Sequence, residues 1–139
     1  MRIVLDTNVV LSALLWRGTP YQLLEAIRNH SETRLFTSPA LLDELAGVLT
    51  RSTPTKRLAV IGKTVRAVLA DYVEAAEVVE PEHVPRVVPN DADDNQVIAA
   101  AVTAGADWIV SGDADLLSMG SYQGIPIITA AQAVEQIAR

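Results

Sequence analysis

Four carboxylates in this sequence stand where they could do chemistry. Asp6 follows the apolar run Ile3-Val4-Leu5, and Asp113 follows Trp108-Ile109-Val110 with only Ser111 and Gly112 between them. Unbroken runs of this kind fit strands of a parallel sheet covered on both faces. Sites in open parallel sheets form at the carboxyl ends of strands, so both acids are predicted at one edge. Taken singly, each is better read as a cap or turn residue. Glu44 lies in a segment whose helical stripe is Leu41, Leu45, Val48 and Leu49. At 100° per residue that phase sends Asp43 to solvent and leaves Glu44 at the margin of the core, where an acid needs a partner. The plainer reading of Glu44 is an exposed helix flank. Asp94 is the strongest case, because Val97, Ile98, Ala101 and Gly105 follow it at i+3, i+4, i+7 and i+11. Asp91 and Asp93 are available to cap that helix, which leaves Asp94 pointing along the apolar face. No lysine or arginine lies between Asp91 and Asp115 to pair with these acids.

Like charges gathered at one sheet edge are unfavourable unless protons or cations neutralise them. Oxygen donors without histidine or cysteine suit hard Mg²⁺ or Mn²⁺, ions that usually keep waters and bind substrate phosphates. The chemistry that follows is metal-assisted phosphodiester hydrolysis.

The elements that must position the acids alternate. Thr19-Pro20 reads as the start of a helix carrying Leu23, Leu24 and Ile27, and Arg34 to Thr37 as a second strand. Ser38-Pro39 opens the helix of Glu44. A long helical segment is predicted from Thr55 to Ala76, and a brief strand at Glu77 to Glu80. Pro81, Pro85 and Pro89 break regular structure. Val97 to Ala104 reads as a helix stopped by Gly105, Ile125 to Ile128 as a strand and Ala130 to Ile137 as a closing helix. This order predicts an α/β fold with a mostly parallel central sheet.

The 139 residues suit one domain over 1–139, half hydrophobic and a fifth charged. The absence of cysteine removes disulfide scaffolds, cysteine-ligated metals and thiol nucleophiles, and fits a reducing cytoplasm. No apolar run approaches the roughly 18 residues of a membrane span. The net charge of −6 at first disfavours nucleic acid, yet it is unevenly spread. Residues 45–70 carry Arg51, Lys56, Arg57, Lys63 and Arg66 and no acid, whereas residues 71–139 sum to −10. A solvated helix face explains the basic stretch as well as a phosphate-contacting surface does.

Ile3-Val4-Leu5-Asp6-Thr7-Asn8, Ser38-Pro39 through Glu44-Leu45, Asp91-Ala92-Asp93-Asp94-Asn95 and Val110-Ser111-Gly112-Asp113-Ala114-Asp115-Leu116 together resemble the PIN-domain family. The resemblance spans nearly the whole chain and is greatest to the small VapC-type ribonuclease toxins of toxin–antitoxin pairs. It implies a three-layer α/β/α sandwich, Mg²⁺- or Mn²⁺-dependent cleavage of RNA, frequent homodimers and a cognate antitoxin that occludes the site. Position by position it implies acids at Asp6, Glu44, Asp94 and Asp113, with Asp115 as alternative or helper, and acid-steadying roles for Asn8 and Ser111. Many toxin members carry Asn where Asp113 stands, which leaves the rank of Asp113 and Asp115 open. Two other readings compete. A haloacid-dehalogenase-like phosphatase would use Asp6 as nucleophile, but Asn8 replaces its second acid and no lysine follows Lys63. A protein-binding module with a vestigial acid cluster is the other. His30 and His83 fall in segments predicted to lie at the surface, and no Ser-His-Asp arrangement is suggested.

Overall fold

The structure, a computed structural model, describes residues 1–87 and 92–138. Asp91 and Pro89, read from the sequence as a cap and a helix breaker, lie outside the described residues. The chain runs β1 (Arg2–Leu5), α1 (Thr7–Leu15), α2 (Thr19–Arg28), β2 (Arg34–Thr37), α3 (Pro39–Leu49), α4 (Ser52–Ile61) and α5 (Val65–Ala75). It continues through β3 (Glu77–Val78), α6 (Ala92–Ala104), β4 (Trp108–Val110), α7 (Ala114–Met119), β5 (Ser121–Tyr122), β6 (Ile125–Ile128) and α8 (Ala130–Ala138).

The strands form one sheet in the order β3-β2-β1-β4-β6-β5, parallel except for the β5–β6 pair. Side chains alternate across the strands, and helices cover both faces. Ile3 and Leu5 of β1, Leu35 of β2 and Val110 of β4 pack on one face with α1, α2, α3 and α5. Val4, Phe36 and Ile109 pack on the other with α6 and Leu116 of α7. This is the predicted three-layer α/β/α sandwich, and it accounts for the unbroken apolar strands. On the α6 side the approach is close because Ala99, Ala100 and Ala101 are all buried. Leu5 pairs in register with Val110, which brings the residues after β1 and β4 side by side.

Helix α1 escaped prediction because Val9, Val10, Leu11, Ala13, Leu14 and Leu15 make Thr7–Leu15 mostly apolar, and Asn8 and Ser12 leave only a two-residue polar stripe to mark its phase. The segment predicted as one helix from Thr55 to Ala76 is two, α4 and α5. Gly62 caps α4 in the left-handed region at φ 68°, a conformation that costs an L side chain and turns the chain away from its helical path. Thr19 opens α2 one residue inside the helix, with Gly18 as the capping residue. α6 begins at Ala92, earlier than the apolar pattern suggested. The two-residue strand β5 and the single-turn-and-a-half helix α7 are too short to leave a periodic signal. Among the described residues no helix is long and apolar enough to cross a membrane.

Candidate metal centre

The sheet order reverses between β1 and β4, because the chain leaves β1 toward β2 and later returns to its other side. That switch point opens a crevice at the carboxyl ends of the strands. Asp6 and Ser111, the residues directly after the two strands, face it together. Asp6 occupies the capping position of α1, but its side chain makes no cap hydrogen bond. Instead its Oδ2 accepts from Ser111 Oγ at 2.8 Å. Ser111 Oγ in turn accepts from the Asp113 backbone N–H at 2.9 Å. One buried hydroxyl therefore ties the carboxylate after β1 to the loop after β4. The capping reading fails for Asp6.

It holds for Asp113, whose Oδ1 accepts from the backbone N–H groups of Asp115 at 2.8 Å and Leu116 at 3.2 Å. These bonds fix the orientation of the Asp113 carboxylate at the start of α7. Asp94, in the first turn of α6, is only 4% exposed, as its apolar phase required. Asp94, Asp113 and Asp115 each offer a carboxylate oxygen to one cluster, the three atoms lying within 4.8 Å of one another. The sequence left Asp113 and Asp115 as alternatives; the fold brings both to Asp94. The cluster is graded in exposure, from buried Asp94 through Asp113 to exposed Asp115, so it opens to solvent on one side.

Glu44 stands outside that set of three. It is half-buried on α3, and Asp43 beside it is exposed, as the helix phase predicted. Burial pushes its carboxyl up to about 7; a hydrogen bond from Thr7 opposes this, while a hydrogen bond with Asp93 and the charges of Asp93 and Asp6 add to it. Its Oε2 is buried and has no hydrogen-bond partner among the described residues. Asp93, read from the sequence only as a capping acid, thus belongs to the electrostatics of the site. So does buried Thr7, which no pattern singled out. The signal for Asp93 was present in the sequence as a third acid one residue from Asp94.

The two residues predicted to steady the acids behave differently. Ser111 does so directly. Asn8 is exposed on α1 and its side chain makes no hydrogen bond to any acid among the described residues. The basic stretch is also divided. Arg57 donates to the Leu15 carbonyl at 2.8 Å and lies over the Trp16 ring, which gives it a structural task at the end of α1. Arg51, Lys56, Lys63 and Arg66 are exposed. Arg51 stands just beyond the end of α3, about two helical turns from Glu44. His30 and His83 are exposed, in agreement with the sequence.

An all-oxygen donor set, three of its members converging on one point and a neighbouring acid pushed toward its neutral form, fits a hard divalent cation. The molecule is in these terms an open-sheet α/β protein with a cluster of carboxylates at the residues that follow its strands and open its helices. A family model of the PIN domain matches residues 2–115, and the chain belongs to the PIN-domain family. PIN domains are generally nucleases and usually use a divalent metal. The match displaces the phosphatase alternative, in which Asp6 would be a nucleophile. Among solved structures the fold is similar to one described as VapBC2 from Rickettsia felis bound to a DNA fragment from their promoter. The TM-score is 0.65 at 14% identity, over 93% of this chain and 98% of that one. No curated protein matches the sequence.

Proposed function

We propose that this chain is a Mg²⁺- or Mn²⁺-dependent endoribonuclease and the toxin of a toxin–antitoxin pair. The convergence of Asp94, Asp113 and Asp115 within 4.8 Å, beside an Asp6 tied to the same loop, carries the reading. A divalent cation bound there supplies Lewis acidity, offsetting charge on the scissile phosphate and making water a stronger nucleophile at neutral pH. Asp94, Asp113 and Asp115 would hold it, and Asp6, tied to the same loop through Ser111, would add a carboxylate from the β1 side. Ser111 keeps the Asp6 carboxylate turned toward the loop. Glu44, poised near neutrality, is able to take or hold a proton at the margin of the site.

RNA as the substrate class rests on the resemblance to VapC-type ribonucleases, and the exposed cations of Arg51, Lys56, Lys63 and Arg66 offer a surface beyond α3 for holding a phosphate backbone, despite the acidic total. The fold shared with the VapBC2 complex, itself bound to promoter DNA, supports an antitoxin as partner. A homodimer and a cytoplasmic setting accompany that biology. The test is cleavage of RNA by purified protein with Mg²⁺ or Mn²⁺, with and without EDTA, beside Asp94→Ala and Asp6→Ala. Cleavage is expected only in the metal-loaded wild type. Activity that survives EDTA or both substitutions refutes the mechanism, and a wild type without activity on any RNA leaves the binding-module reading in its place. A small gene for a DNA-binding protein is expected beside the coding sequence.

A further inference from the structure

A cavity of about 370 Å³ shares Ser111 with the carboxylate site, since that residue lines it and also donates to Asp6. Ser111 and Gly112 form part of its wall, and Asp113 is the next residue along the chain. Its size is within the roughly 300–1,000 Å³ typical of small-ligand pockets. Its lining is unexpected for so acidic a protein, because no charged side chain contributes to it. Asn8 and Ser12 enter from one face of α1, four residues apart, and Thr19 from the start of α2. The side chains of all three make no hydrogen bond among the described residues. Thr129 accepts from the Gln132 N–H, which leaves its own hydroxyl proton to donate. Val9, Pro20 and Ala131 supply apolar surface between these groups.

We propose that this cavity receives the ribose and base of the nucleotide next to the scissile phosphate. The inference rests on the nuclease reading above and adds to it a substrate-positioning site. Neutral donors and acceptors interleaved with apolar surface suit a nucleoside rather than an isolated anion. An amide such as that of Asn8 pairs with a base edge, and hydroxyls such as those of Ser12 and Thr129 suit the ribose 2′-OH. The shared wall at Ser111 and Gly112 sets the attached phosphate against the carboxylate cluster, where the cation compensates its charge. Asn8, predicted to steady an acid, becomes a substrate-reading residue.

The test is a titration of ¹⁵N-labelled protein with the four ribonucleoside 5′-monophosphates, and separately with inorganic phosphate, in buffer containing Mg²⁺. Nucleotides are expected to move the amide signals of Asn8, Ser12, Thr19 and Ala131, and phosphate alone is not. Ser12→Leu, which fills the cavity, should weaken nucleotide binding about tenfold. Asn8→Ala, on an exposed position, should weaken it less without any packing change. Both should raise KM for RNA cleavage more than they lower kcat. Equal shifts with inorganic phosphate, or shifts elsewhere on the surface, overturn the proposal. So does wild-type KM in both variants, and in that case RNA cleavage by the wild type leaves the nuclease reading standing. Nucleotide shifts at the cavity in a protein that cleaves no RNA support the subsite and remove the nuclease reading instead.

Discussion

Ser111→Ala is the sharpest perturbation of the site that leaves every carboxylate in place. Ser111 is 1% exposed, and its hydroxyl donates to Asp6 at 2.8 Å while accepting from the Asp113 N–H at 2.9 Å. Water has no ready route to replace it. A hydrogen bond to a charged group is worth about 1.5–3 kcal/mol, and a buried N–H left without a partner costs about 1 kcal/mol or more. The variant should therefore lose about 3 kcal/mol of stability. With an unfolding entropy of about 2 cal/mol/K per residue, that corresponds to a fall in Tm of about 10 °C. The metal site should suffer separately, because Asp6 loses the group that aims it. Losses of about 10- to 100-fold in metal affinity are usual for such outer partners. The assay is thermal unfolding by circular dichroism in EDTA, followed by Mn²⁺ titration read by electron paramagnetic resonance. Ser118→Ala is the control: its hydroxyl makes a single bond, to the Asp115 carbonyl at 2.9 Å, and at the surface. A Ser111→Ala protein with the Tm and Mn²⁺ affinity of the wild type would refute the idea that this hydroxyl organises the site.

Glu44 predicts a pH dependence. Its carboxyl is raised in the fold from its ordinary value of 4.5 to about 7, chiefly by burial, so the folded state holds a proton that the unfolded chain has already released. Metal-free stability should fall as pH rises through that window, and Glu44→Gln should flatten the fall in Tm. Stabilisation by added Mg²⁺ should grow between pH 6 and pH 8 for the same reason, as the proton that competes with the cation departs; equal stabilisation at both pH values contradicts this. Gly62→Ala should destabilise by about 1–2 kcal/mol in urea unfolding, wholly through backbone strain, since a Cβ there meets nothing within 4 Å. Replacing Arg51, Lys56, Lys63 and Arg66 together by Gln should reduce the slope of log affinity for single-stranded RNA against log salt by about 3, whereas Arg57→Gln should lower Tm and leave the slope unchanged. An unchanged slope in the fourfold variant assigns the basic stretch to solvent.

What the sequence disclosed follows from which forces leave a periodic trace. β1, β2, β4 and β6 were legible because strands covered on both faces read as apolar runs. α3 was legible because Ser38 caps it and a single apolar stripe marks its phase. The positions of Asp6 and Asp94 came from that same logic, since each is fixed by the element it ends or begins. α1 was hidden because six of its nine residues are apolar and Asn8 and Ser12 leave only a two-residue polar stripe. The split at Gly62 was hidden because one left-handed residue reverses a helix without altering the apolar spacing around it. Side-chain direction at the sheet edge was beyond any pattern. The sequence gathered Asp6, Glu44, Asp94 and Asp113 at one edge; the carboxylate oxygens within 4.8 Å of one another are those of Asp94, Asp113 and Asp115, and Glu44 interacts with Thr7, Asp93 and Asp6.

Asp113 shows why capping and metal binding need not compete as explanations of an acid at a strand end. Its Oδ1 is committed to two backbone N–H groups of α7, which fixes the plane of the carboxylate. A carboxylate has a second oxygen and more lone pairs than a cap uses. The cap therefore fixes how the group is presented beside Asp94 and Asp115. Ser111 does the same for Asp6. Two of the acids, Asp6 and Asp113, are thus held in place by local hydrogen bonds. A cation need only neutralise a cluster that the backbone has already assembled.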